Sequence, residues 1–345
     1  MKLERIKCKP LERAKDFCVS PSYIIGCTGK KAAIMDKHLN LLHTVEGLDY
    51  VYSAHVSPDE TKLLLISTLN KFYIVDMQTF EKTRITVKTP YNCNLEGQGC
   101  WSFDGASVLI PVHCRTASRS STLRRYYIDD SGKYHDYLAD KYCITGIWRM
   151  EATHTYFLTG YDRQEDCRNH FIFFDGTGFQ EFPLERSVSI LAPTVSIDEE
   201  KGVITTSSLG YCRHFTLEGK EIQSISHPAP KDKICKMSDV FPRSFDDTVE
   251  AQNSRNELFE AFGLEEISIP KCFSIPDAIR KIIASSCGSY HYLASRSGFY
   301  LLDAPTGEVL AYVPEEWGVQ NVQELSPGLI LVATMSGVKL YQINR

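Results

Sequence analysis

The feature that most constrains this chain is a repeat, because short apolar runs ending in an acidic or amide residue recur along its 345 residues. The runs are Ala33-Ile34-Met35-Asp36, Phe72-Tyr73-Ile74-Val75-Asp76, Tyr126-Tyr127-Ile128-Asp129-Asp130, Phe171-Ile172-Phe173-Phe174-Asp175, His214-Phe215-Thr216-Leu217-Glu218, Phe299-Tyr300-Leu301-Leu302-Asp303 and Leu340-Tyr341-Gln342-Ile343-Asn344. Their last residues are spaced by 40, 54, 45, 43, 85 and 41 positions, and the long interval holds one repeat of about 43 plus an insertion of about 42. A second marker runs in phase with the first, a Ser- or Asp-containing turn followed by a new apolar strand. It appears at Ser20-Pro21, Ser57-Pro58-Asp59, Ser102-Phe103-Asp104-Gly105, Arg149-Met150-Glu151, Ser196-Ile197-Asp198, Ser285-Ser286-Cys287-Gly288 and Ser326-Pro327-Gly328.

A unit of this length, made of short strands, matches one four-stranded blade. The expected fold is all-β, a seven-bladed β-propeller formed by residues 1–345 as a single domain. Each repeat then reads as inner strand a, Ser/Asp turn, strand b, variable loop, strand c, acidic turn and outer strand d. The last repeat stops after its third strand, whereas Leu3, Arg5 and Lys7 alternate as in a solvent-facing outer strand. Residues 2–9 are therefore expected to pair with 340–344 and complete the seventh blade, leaving no open edge.

With its Ser57-Pro58-Asp59 and Ser102-Phe103-Asp104-Gly105 turns and its aromatic-apolar-Asp strand ends, the chain resembles the WD-repeat family of propellers. The Trp-Asp dipeptide of that family is replaced, with Val75, Phe174 and Leu302 standing before the acid. The resemblance implies a propeller architecture and does not single out a subfamily.

Long loops in repeat proteins carry function because they grow without disturbing a blade core. The b–c loop of blade 3 reads as Cys114 to Arg125 and that of blade 4 as Tyr161 to His170. A third insertion, 230–275, falls between blades 5 and 6. Within it Leu258, Phe259, Ala261 and Phe262 form one apolar stripe before Gly263, which predicts an amphipathic helix near 247–262. The helix fits either a packed plug or a partner-binding lid.

The strand order sends b–c and d–a loops to one face, and a–b and c–d turns to the other. The b–c loops then collect Lys30, Lys31, Lys71, Arg115, Arg119, Arg124, Arg125, Arg163, Arg168, Arg213, Arg296 and Lys339, against Asp162, Glu165 and Asp166. The opposite face collects Asp59, Glu60, Asp104, Glu151, Asp198, Glu199 and Glu200. A chain of net charge −5 is thus expected to be polarised, with a basic face that attracts an anionic partner.

At 43% apolar and 23% charged residues, the chain has the means to bury a core, which excludes a disordered or fibrous state. Twelve cysteines include no C-x-x-C pair, which argues against a zinc ribbon or a disulfide framework. The N-terminal stretch has no apolar signal-like core and no N-x-S/T sequon occurs, so the expected setting is a reducing cytoplasmic or nuclear one, with free cysteines. Nucleophile, Walker and HExxH motifs are missing, and no cofactor or metal is expected.

Two functions follow. The first is a non-enzymatic interaction scaffold binding an acidic or phosphorylated protein segment through Lys71, Arg115, Arg119, Arg124, Arg125, Arg163, Arg168, Tyr211, Arg213, Arg296 and Lys339, together with the 230–275 insertion. Guanidinium groups suit that task through bidentate grips on carboxylates and phosphates. The alternative is a propeller hydrolase or lyase with its site at the channel mouth near His113 and His170. Nucleic acid fits less well, since acids interrupt the cations and few aromatics stand beside them.

Overall fold

In a computed structural model, residues 2–11, 16–88, 93–95, 98–114, 121–130, 132–138, 142–162, 169–183, 194–208, 211–225, 235–236, 266–267, 279–295, 298–315 and 318–344 are described. They contain strands and turns and no helix. Six four-stranded sheets and one five-stranded sheet follow one another along the chain. Blade 1 runs Asp16–Val19, Ile24–Cys27, Ala32–Met35 and Leu41–Val45; blade 2 runs Val51–Val56, Lys62–Ser67, Lys71–Asp76 and Lys82–Thr86. Blade 3 splits its inner strand into Cys93–Asn94 and Cys100–Trp101, both paired with Ser107–Cys114, and continues through Ser121–Tyr127 to Tyr134–Tyr137. Blade 4 comprises Tyr142–Met150, Thr155–Asp162, Asn169–Phe174 and Phe179–Pro183, and blade 5 comprises Thr194–Asp198, Val203–Ser208, Tyr211–Thr216 and Glu221–Ile225. Blade 6 comprises Ile279–Ala284, Tyr290–Ser295, Gly298–Asp303 and Val309–Pro314.

Blade 7 takes three strands from the end of the chain, Val319–Ser326, Leu329–Thr334 and Gly337–Asn344, and a fourth from its start. That fourth strand, Lys2–Pro10, lies antiparallel to Gly337–Asn344 with Lys2 opposite Asn344 and Pro10 opposite Gly337. The helix expected over 247–262 lies outside the described residues, as does most of 230–275. Inside that insertion, Cys235–Lys236 pairs with Glu266–Ile267.

Each sheet packs on both neighbours, so the middle strands have no solvent face and read as unbroken apolar runs. In blade 2, Leu63 and Leu65 join Ile25, Ile34 and Val45 of blade 1, whereas Leu64 and Ile66 turn the other way to Trp101, Val108 and Ile110 of blade 3. The same alternation joins blades 3 and 4 through Leu123 and Leu158, blades 4 and 5 through Phe171 and Phe215, and blades 6 and 7 through Leu301 and Val332. Leu340 and Ile24 join blade 7 to blade 1. At the seam between blades 5 and 6 the described apolar group on blade 6 is small, namely Ile282, Leu293, Tyr300 and Leu302.

The acidic repeat marker is a turn-maker. Asp76 accepts hydrogen bonds from the backbone N–H groups of Gln78 and Thr79 at 2.9 and 2.8 Å, and Asp175 does the same for Thr177 and Gly178 at 2.8 and 2.7 Å. A short side chain able to fold back on its own backbone is what such a c–d turn needs. The Ser marker acts likewise in the a–b turn: the Ser102 hydroxyl donates to Asp104 at 2.5 Å and accepts from the Ser107 N–H at 2.9 Å. Gly105 completes that turn at φ 67, where a side chain would be strained.

Candidate binding face

The b–c and d–a connections emerge on one face, and four of the described cations assigned there from sequence, Lys31, Lys71, Arg213 and Lys339, have acidic partners. Lys71 Nζ lies 2.8 Å from Asp49, Lys31 Nζ 2.6 Å from Glu46, and Lys339 Nζ 2.6 Å from each oxygen of Glu315. Arg213 forms a two-pronged pair with Glu221 and lies over the Phe215 ring at 5.2 Å. These acids come from outer strands and d–a connections, which sequence reasoning left out when it set b–c cations against b–c acids. The strand order already sent both sets of loops to this face, and that was the available signal. Each ammonium beside Asp49 and Glu46 holds its carboxyl below the usual range.

Arg124 and Arg125 correct the sequence reading of the blade 3 loop. Both belong to strand Ser121–Tyr127, so the loop itself spans only 115–120. Arg124 is buried, with Nε and Nη2 on the Asp136 carboxylate at 2.6 and 2.8 Å and Nη1 donating to the Lys88 carbonyl at 2.7 Å. Alternation turns Arg125 to the opposite side, where it lies 5.7 Å from the Tyr137 ring and its Nε is buried without a hydrogen-bond partner. Its charge is felt at Cys100 and Tyr156, both pushed up to about 12 by burial, so it serves the seam between blades 3 and 4 and not the basic mouth. Arg115, Arg119, Arg163, Arg168 and Arg296 lie outside the described residues. Tyr211 opens strand Tyr211–Thr216.

The histidines of the enzymatic alternative also face the blade 3–4 seam. His113 is 1% exposed, with Nδ1 3.0 Å from Cys143 Sγ, and His170 lies half-buried with its ring 5.2 Å from that of Tyr142. No group of three or more His, Cys, Asp or Glu able to hold a metal occurs among the described residues.

Acids of the opposite face are engaged in structure. Asp59 takes bonds from Ser57 and Thr61, which hold it down at about 2. Others bridge neighbouring blades: Glu60 accepts from the Ser22 N–H at 2.9 Å, Glu199 from the Glu151 N–H at 3.0 Å, and Glu324 from the Ser286 N–H at 2.5 Å.

The concavity that sequence reasoning missed is a groove of about 880 Å³ on the basic face. It runs from the end of the N-terminal strand across blade 1 to the first strand of blade 2, with Lys9, Leu11, Lys30, Leu41, Tyr50 and Tyr52 in its walls. The repeat offered no signal for it, because its walls come from three different blades.

No family model and no curated protein matches this sequence. Among solved structures, the chain is similar to the β-propeller domain of Cps50 (Swd1) from Myceliophteria thermophila, at 9% identity and a TM-score of 0.64. The likeness covers 99% of this chain and 100% of that domain. Blade order and this shared fold lead to one identification: the chain has the fold of a seven-bladed β-propeller.

Proposed function

We propose that this propeller is a non-enzymatic protein-interaction scaffold that engages an acidic or phosphorylated protein segment on its b–c face. The observation that supports the reading is the strand order, in which the strands flanking the connections 115–120, 163–168 and 226–278 end on the same face. The first two carry Arg115, Arg119, Arg163 and Arg168, and loop arginines are suited to gripping carboxylates and phosphates. We read the N-terminal strand as the closure of the ring, which holds that face rigid. A reducing cytoplasmic or nuclear setting accords with the free thiols of Cys8, Cys18, Cys27, Cys100, Cys143 and Cys287.

The test reverses charge only in the loop, with Arg115→Glu/Arg119→Glu, because Arg124 belongs to the blade interior. Anisotropy of a short fluorescein-labelled peptide of glutamates around one tryptophan is followed against ionic strength. Wild-type protein is expected to bind with strong salt dependence, and the double variant about ten-fold more weakly with a shallower slope. Failure of the wild type to bind this probe, or binding that ignores salt, overturns the reading.

A further inference from the structure

Six described residues other than glycine hold left-handed backbone, namely Leu39, Tyr50, Glu60, Phe80, Leu138 and His154. Bulky side chains adopt this conformation only where the surroundings enforce it. Five of the six have an evident constraint. Leu39 and Leu138 are buried, Phe80 stacks on His43 and His154 on Phe103, each at 4.0 Å, and Glu60 bonds Ser22. Tyr50 is held at φ 53 through its backbone, its carbonyl accepting from the Thr68 N–H at 3.0 Å beside the Gly29–Val51 bridge, while its side chain stays 59% exposed and makes no hydrogen bond or ring contact among the described residues. A strained aromatic held out to solvent is a mark of a contact surface.

Tyr50 stands in the wall of the blade 1 groove, and the charges there do not cancel. Glu46 and Asp49 of the same wall are occupied by Lys31 and Lys71, at 2.6 and 2.8 Å. Lys9 and Lys30 have no acidic partner among the described residues. Leu41, 45% exposed at the start of the outer strand, lines the same groove. Two free ammonium groups next to apolar and aromatic surface fit a ligand with carboxylates and a hydrophobic side chain.

We propose that this groove is a docking slot for an extended acidic peptide segment with one apolar anchor, in which Lys9 and Lys30 take carboxylates while Tyr50 covers the anchor. The proposal rests on the reading of the b–c face as the binding face and narrows it to blade 1.

The same labelled peptide tests it in three variants of the full chain. Lys9→Glu/Lys30→Glu is expected to weaken binding about ten-fold or more. Tyr50→Gly is expected to weaken it to a similar degree while leaving the unfolding midpoint unchanged or raised, because glycine occupies φ 53 without strain. A drop in midpoint with binding intact would assign Tyr50 a structural role and overturn its part here. Full affinity in both groove variants overturns the slot; if Arg115→Glu/Arg119→Glu then binds weakly, the broader reading of the face stands without it. A wild-type protein that binds labelled oligothymidine as tightly as the peptide presents a polyanion surface, which also overturns the slot.

Discussion

Arg124 commits all three guanidinium nitrogens inside the protein, and the Tyr134 ring lies 3.8 Å from its centre. A charge so placed stabilises only as long as its partner remains, and removal of one member of a buried pair leaves the other uncompensated. Arg124→Ala is therefore expected to lower stability by about 3 kcal/mol. Lys30→Ala, at an exposed position, is expected to stay within about 0.5 kcal/mol of wild type. Urea midpoints at constant slope measure both, and equal midpoints would show that the Asp136 pair contributes nothing. In the sequence Arg124 and a loop arginine look alike; what separates them is that strand Ser121–Tyr127 begins five residues earlier than its aromatic end suggested. The turn aspartates were easier to read, because Asp76 and Asp175 act on neighbours two or three residues away and local chemistry is written locally.

Middle strands and outer strands differ in how they meet solvent. Leu63–Ile66 is wholly buried, whereas Lys82–Thr86 is mostly exposed, so the b and c strands were legible as apolar runs and the d strands were not. The N-terminal strand is an outer strand of this polar kind, recognised by alternation and by the need of the last repeat for a fourth member. Deleting residues 1–10 strips Gly337–Asn344 of its partner and bares the edge of blade 7. The expected result is aggregation or a urea midpoint lowered by a large fraction of its value. A truncated chain that stays soluble and unfolds with the midpoint of the full chain would mean that the strand is an ornament of blade 7. Ion pairing across elements was the part least legible, since two strands of blade 7 lie between Glu315 and Lys339 in the sequence and only the fold brings them together.

For the molecule as a whole, histidine placement sets the response to mild acid. His55 is held down at about 4 by burial, His214 is lowered by burial, and His291 is lowered by burial and then by the charge of His214, against a smaller opposing pull from Asp303. Below about pH 6.5 the unfolded chain takes up protons that these folded imidazoles refuse, so stability falls as pH drops from there toward 4. For His55 alone the loss is about 2 kcal/mol by pH 4. The carboxylates that are held low, such as Asp59 at about 2, act in the next window and lose their contribution only below about pH 4. Thermal melts should therefore decline between pH 6.5 and 4.5, less steeply in His55→Asn/His291→Asn, and a flat profile across that range would count against the buried-imidazole account. The pairing of Lys2–Pro10 with Gly337–Asn344 also governs events before the native state exists, since the first strand leaves the ribosome about 330 residues ahead of its partner. At about 5 to 20 residues per second it waits roughly 20 to 60 s while six blades assemble behind it. Its five charges, Lys2, Glu4, Arg5, Lys7 and Lys9, keep a nascent edge soluble through that interval, so side chains on the rim of the ring also serve the growing chain.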